Sequence, residues 1–110
     1  MTERADRIAR NEALFREVNE RINEFPPDGS PEEPIEFLCE CGDAECTATI
    51  VLTGPEYERV RATPTDFAVL EGHEAPDVEG VIASNDRFLT VRKHEEAADI
   101  ARDSDPRRDS

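Results

Sequence analysis

Tryptophan is absent from this chain, methionine and tyrosine occur once each, and aromatic residues fill only 5% of its 110 positions. Basic residues are also scarce: 13 Lys+Arg face 27 Asp+Glu, for a net charge of −14. A nucleic-acid groove binder needs a basic footprint to displace counterions from phosphates, so no nucleic-acid partner is expected. No apolar run approaches the roughly 20 residues that a membrane-spanning helix requires. With a mean hydropathy of −0.70, no membrane partner is expected either. Met1 to Arg7 mixes acids and arginines with no apolar stretch behind it, so no secretory signal is read there. Internal repeats, an H-E-x-x-H pair and a glycine-rich phosphate loop are all missing. The length allows one domain at most, with flanking segments.

The charge that is present is unevenly spread. Residues 1–25 are nearly neutral at −1, residues 26–34 carry −3, residues 35–93 carry −7 and residues 94–110 carry −3. Acidity of this kind favours solubility rather than a choice of substrate. Residues 3–25 are expected to be helical. Glu3/Arg7, Asp6/Arg10, Glu12/Arg16 and Glu17/Arg21 are i,i+4 pairs in the favourable order, each worth about 0.2–0.5 kcal/mol. Thr2 is the expected N-cap and Pro26-Pro27 the stop. Ile8, Phe15 and Ile22 recur at heptad spacing, as do Val18 and Phe25, with Leu14 beside the seam. Such a stripe either folds an amphipathic helix back on the chain or serves a protein partner or self-association. Ile8, Phe15, Val18, Ile22 and Phe25 are thus the candidate partner-binding residues.

Pro26 to Pro34 has four prolines and reads as a linker, and residues 94–110 read as an acidic, mostly disordered tail with a weak helical signal from His94 to Arg102. Between them, residues 35–93 read as a small α+β domain. Strands are expected at 35–39 and 47–53. Thr53-Gly54-Pro55-Glu56 has the form of a capping box opening a helix that ends before Pro64. A strand at 67–70, a turn around His73, a short helical stretch through Val78, Val81 and Ile82, and a strand at 87–92 complete the domain. The expected order is a long N-terminal amphipathic helix followed by a zinc-stapled β-β-α-β-(α)-β unit. A domain of about 60 residues buries only about 60% of its unfolded surface and commonly needs a disulfide or a metal as a staple.

The three cysteines fall where a staple would help, in Cys39-Glu40-Cys41-Gly42-Asp43-Ala44-Glu45-Cys46. On a strand, Cys39 and Cys41 point to one face. Gly42 then permits the turn that returns Cys46 toward them. Three thiolates leave tetrahedral zinc one ligand short. His73 is the first candidate and His94 the second. Four readings stay open: a structural Cys3His zinc site, a Cys41–Cys46 disulfide or redox switch, buried unligated cysteines, and a catalytic thiol with His73 as base. Glu40, Asp43 and Glu45 are expected to raise the thiol pKa values, which disfavours a nucleophile; a dication overrides that repulsion. An odd cysteine count without a signal peptide fits a reducing cytoplasm, so cytoplasmic zinc is the expected account.

The run FLCECGDAEC, the helix EYERVR and the segment FAVLEGHE, preceded by RNEALFREVNERI, occur together over residues 10 to about 74, with NDRFLTV near 85–91. In this combination the chain resembles a group of small uncharacterised proteins of actinobacterial type. The resemblance implies that Cys39, Cys41, Cys46 and His73 belong to one unit, and it implies no activity. The expected function is a non-enzymatic, zinc-stabilised protein-interaction module. One alternative is a thiol/zinc redox sensor in which oxidation releases the metal. A second is a metal-dependent hydrolase with Glu40 or Glu74 as general base, which has little motif support.

Overall fold

The computed structural model describes residues 3–24 and 33–107, apart from the side chains of residues 5 and 96. Thr2, Phe25, Pro26-Pro27, most of the expected linker and residues 108–110 lie outside the described residues. The chain is α+β, in the order α1 (Glu3–Glu24), β1 (Ile35–Leu38), β2 (Thr49–Leu52), α2 (Gly54–Arg61), β3 (Asp66–Val69), β4 (Glu79–Ser84), β5 (Leu89–Lys93) and α3 (Glu95–Asp103). No helix among the described residues is long and apolar enough to cross a membrane.

Alternation decides the first sheet. β1 and β2 pair antiparallel from Ile35↔Leu52 to Leu38↔Thr49. Ile35, Phe37, Ile50 and Leu52 all point into one core, as period-2 side-chain geometry requires. Thr53 then opens α2 with the expected capping box: its hydroxyl accepts from Glu56 N at 3.3 Å, and Glu56 Oε1 accepts from Thr53 N at 2.8 Å. The helix so started delivers Tyr57 and Val60 to the same core, where Tyr57 stacks on Phe37 with ring centroids 4.6 Å apart. The second sheet has the antiparallel order β3-β5-β4. Its inner residues Phe67, Val69, Leu89 and Val91 pack with Cys39, Cys41 and Ala101 in a second cluster.

Two expectations are corrected. Residues 78–82 are not helical: Glu79–Ser84 is β4, hairpinned to β5 with a bulge between Val81 and Ala83. Val78 lies in the turn before β4 while Val81 and Ile82 lie in the strand, so the spacing that resembled a helical period spans two elements. Val81 and Ile82 stay 48% and 47% exposed, so the spacing marked no buried face. The tail is not mostly disordered either. Residues 95–103 form α3, with Ala97, Ala98 and Ala101 buried, and Asp105 is buried against Arg61. Arg107 pairs with Glu20 at 2.6 Å and Glu58 at 2.7 Å. Small residues supplied a buried face that lacked the bulk to stand out in the sequence.

The N-terminal helix docks on the domain by Ile8 and Ile22 of its apolar stripe together with a row of polar side chains. The buried positions of α1 are Ile8, Ala9, Glu12, Arg16 and Asn19. Arg16 donates to Pro64 O at 2.6 Å and Ala101 O at 2.7 Å and lies 4.4 Å over the Phe67 ring. Glu12 and Glu79 both pair with Lys93, the single lysine of the chain. Burial pushes the Glu12 carboxyl well above its ordinary range. The i,i+4 partnership of Glu12 with Arg16 is therefore replaced by tertiary partners. Buried charges cannot be left unpaired, and here the partners lie on other elements.

Candidate metal centre

Four side chains from two loops converge beside the second cluster. Cys39 directly follows β1, its N–H bonded to Ala48 O at 3.1 Å just beyond the β1–β2 pair. The next residue crosses to the other sheet, Glu40 N donating to Ala68 O at 2.9 Å. Strand-like alternation turns Cys39 and Cys41 to one side and Glu40 to the other. A turn closed by Cys46 N to Asp43 O at 3.0 Å and Glu45 N to Asp43 Oδ1 at 2.9 Å returns Cys46. His73 arrives from the turn after β3, where Gly72 takes φ +90° and His73 N donates to Leu70 O at 2.9 Å.

The donor atoms of Cys39, Cys41, Cys46 and His73 lie within 4.8 Å of one another, and the group could hold a metal ion. His73 Nδ1 is 3.6 Å from Cys39 Sγ and 3.5 Å from Cys46 Sγ. With metal–sulfur bonds of about 2.3 Å and metal–nitrogen bonds of about 2.0–2.1 Å, a tetrahedron has S···N edges of about 3.6 Å. His94, the second candidate, is exposed at the start of α3 and is not part of the group.

Backbone donors favour the thiolate forms here. Leu70 N donates to Cys39 Sγ at 3.1 Å, and backbone hydrogen bonds at Asp43 and Ala48 lower the Cys41 and Cys46 pKa values. Without a cation the thiols share protons: a hydrogen bond from Cys39 pulls Cys41 down to about 5, and Cys39 is raised in exchange. Burial raises Cys46. The thiols thus act on one another more than the flanking acids act on them, contrary to the sequence expectation. A divalent cation would replace the shared protons outright.

Glu40 shows why. Its carboxylate is fully buried on the side away from the cluster and accepts from Asn19 Nδ2 at 2.9 Å, Tyr57 OH at 3.1 Å and Ala68 N at 3.0 Å. Burial raises its pKa, and its oxygens are spent on these donors, so it is in no position to act as a base on the cluster. Glu74 is half-buried, with Oε1 accepting from Gly72 N at 2.8 Å. A cavity of ≈ 600 Å³ opens between α1 and the two loops, lined in part by Arg7, Asn11, Cys41 and His73. It borders the cluster at Cys41 and His73.

Sequence reasoning overlooked the asparagines of α1. Asn11 donates to Gly42 O at 2.9 Å, Asn19 to Leu38 O at 2.9 Å, and Asn23 to Glu58 Oε2 at 2.7 Å. Asparagine is a weak helix former, so three of them inside one helix were a signal of tertiary duty. The expected partner-binding stripe divides. Ile8 is buried against Val78 and Ala97, Ile22 packs against the first core, and Phe25 lies outside the described residues. Phe15 is half-buried, while Leu14 and Val18 are 57% and 39% exposed.

Comparison of the chain with protein-family models, with curated proteins and with solved structures finds no match. The functional reading therefore stands on the geometry.

Proposed function

We propose that the protein is a non-enzymatic, zinc-stabilised interaction module. The observation that carries this reading is the Cys3His group, whose S···N spacings suit a closed tetrahedral zinc site. Sulfur-rich donor sets favour zinc over hard cations, and four protein donors leave no open position for a substrate or activated water. The metal would tie the end of β1, the turn before β2 and the turn after β3 into one unit. The interaction face is the outer side of α1, at Leu14, Phe15 and Val18, and its occupant is a second copy of the chain. Residues 1–25 carry only −1 of the net −14, so two such helices meet without the repulsion that the rest of the surface would impose.

Elemental analysis of protein purified without chelator, with native mass spectrometry of the same sample, tests both parts. One zinc per chain, lost with the fold in Cys46→Ser, and a dimer mass abolished by Val18→Glu are expected. Metal-free folded protein would overturn the staple, and a monomer at every concentration would overturn the interface.

The cavity beside Cys41 favours a second reading, a redox sensor. Peroxide entering there would take two electrons from two zinc-bound thiolates, forming a disulfide and, with two protons, two waters, and would release the zinc. Zinc release tracking peroxide dose would favour it; zinc retained at moderate peroxide would remove it.

A further inference from the structure

The segment that carries Cys39 and Cys41 is gripped from behind by a helix that supplies no ligand. Asn19 forms a reciprocal pair with Leu38, accepting from its N–H at 2.8 Å and donating to its carbonyl at 2.9 Å. It also donates to Glu40, the residue between the two cysteines, at 2.9 Å. Two turns earlier on α1, Asn11 donates to Gly42 O at 2.9 Å. Ile8, a turn earlier still, covers Gly42 so closely that a Cβ there would lie 2.3 Å from Ile8 Cγ2 and 2.9 Å from the α1 backbone. The peptide groups before Cys39 and after Cys41 are therefore both held by side chains of one rigid element.

We propose that Asn11 and Asn19 are positioning residues of the metal centre, so that docking of α1 and binding of zinc are coupled; this rests on the cluster being a zinc site. Zinc fixes Cys39 and Cys41 relative to Cys46 and His73, and α1 fixes the same backbone from the opposite side. Each event orders the segment for the other. Linkage makes the effect reciprocal: the factor by which docked α1 raises zinc affinity is the factor by which zinc favours docked α1. Outer partners of metal ligands typically change affinity 10- to 100-fold, which sets the size to expect. The cavity between α1 and the two ligand loops places this helix beside the solvent-facing side of the cluster as well.

The test uses the full chain with zinc and with cobalt as a spectroscopic probe. Asn19 is fully buried against Glu40, so its loss endangers the fold; Asn11 is half-buried and is the better variant. Asn11→Asp keeps the shape and removes the donor to Gly42 O. It is expected to weaken zinc about 10-fold in a chelator competition, while the cobalt–thiolate charge-transfer band shows the ligand set intact. Thr53→Ala, which weakens the fold at the α2 cap, is expected to keep zinc affinity within about two-fold and separates positioning from general stability. Hydrogen exchange of the α1 amides is expected to slow about 10-fold when zinc is added to the wild-type chain. Zinc uptake with wild-type affinity in Asn11→Asp and unchanged α1 exchange would overturn the coupling alone. No zinc uptake by the wild-type chain would overturn the metal reading and the coupling with it.

Discussion

Among the described residues, two hairpins close in different ways. The β4–β5 connection is short and settles itself: Asn85 N donates to Phe88 O at 3.1 Å, and Asn85 Oδ1 accepts from Arg87 N at 2.8 Å and Phe88 N at 2.9 Å. The β1–β2 connection runs through residues 39–48, and bonds of its own, Cys39 N to Ala48 O, Cys46 N to Asp43 O and Glu45 N to Asp43 Oδ1, are spread over ten residues. It is held by Asn11, Asn19 and Ile8 of α1 and by β3. A short turn can satisfy its backbone locally. A longer one pays more loop entropy and must borrow order from elsewhere, which makes it a natural seat for a ligand.

The largest effect should separate the hairpins outright. Zinc bound at the proposed site would, at a free concentration a thousand-fold above its dissociation constant, contribute about 4 kcal/mol to stability. Chelation or Cys46→Ser should therefore lower the denaturant midpoint strongly, with loss of amide protection greatest in residues 35–52. Equal loss in β4 and β5 would show that the two hairpins are one cooperative unit. Next in size is Gly42→Ala, whose methyl group would meet both the Ile8 side chain and the α1 backbone. A cost of about 1–3 kcal/mol is expected, read by thermal unfolding. The matching test on the self-closing hairpin is Asn85→Ala, with an expected cost of about 1 kcal/mol and zinc affinity unchanged.

The smallest effect is set by pH. A bidentate contact with Arg87, at 2.8 and 2.5 Å, holds the Glu56 carboxyl down to about 2 from its ordinary 4.5. A carboxyl depressed in the folded state stabilises the fold above its unfolded value, and the gain is lost as pH falls from about 4.5 toward 2. The pair is partly solvated, so its contribution is the smallest of these effects. Arg87→Ala should flatten the acid limb of the stability profile in metal-free protein. An unchanged limb would mean that other carboxyls govern it.

Sequence alone determined the features whose chemistry is local. The capping box at Thr53 and Glu56 needs only neighbouring residues, and alternation placed Ile35, Phe37, Ile50 and Leu52 in the core. The convergence of Cys39, Cys41 and Cys46 followed from a strand and a glycine turn, with His73 named on the expectation that its strand pairs nearby. Tertiary structure decided the rest. The face of α1 that docks mixes Ile8, Ala9 and Ile22 with Glu12, Arg16 and Asn19, whose partners are Lys93, Leu38 and the carbonyls of Pro64 and Ala101, and no rule of hydrophobic spacing contains those polar partners. β4 is a strand because β5 lies beside it, and α3 packs because its alanines match the space left on α1 and the sheet. Hydrogen-bond partners distant in sequence are invisible to periodicity, and in this small, charge-rich chain they outweigh it.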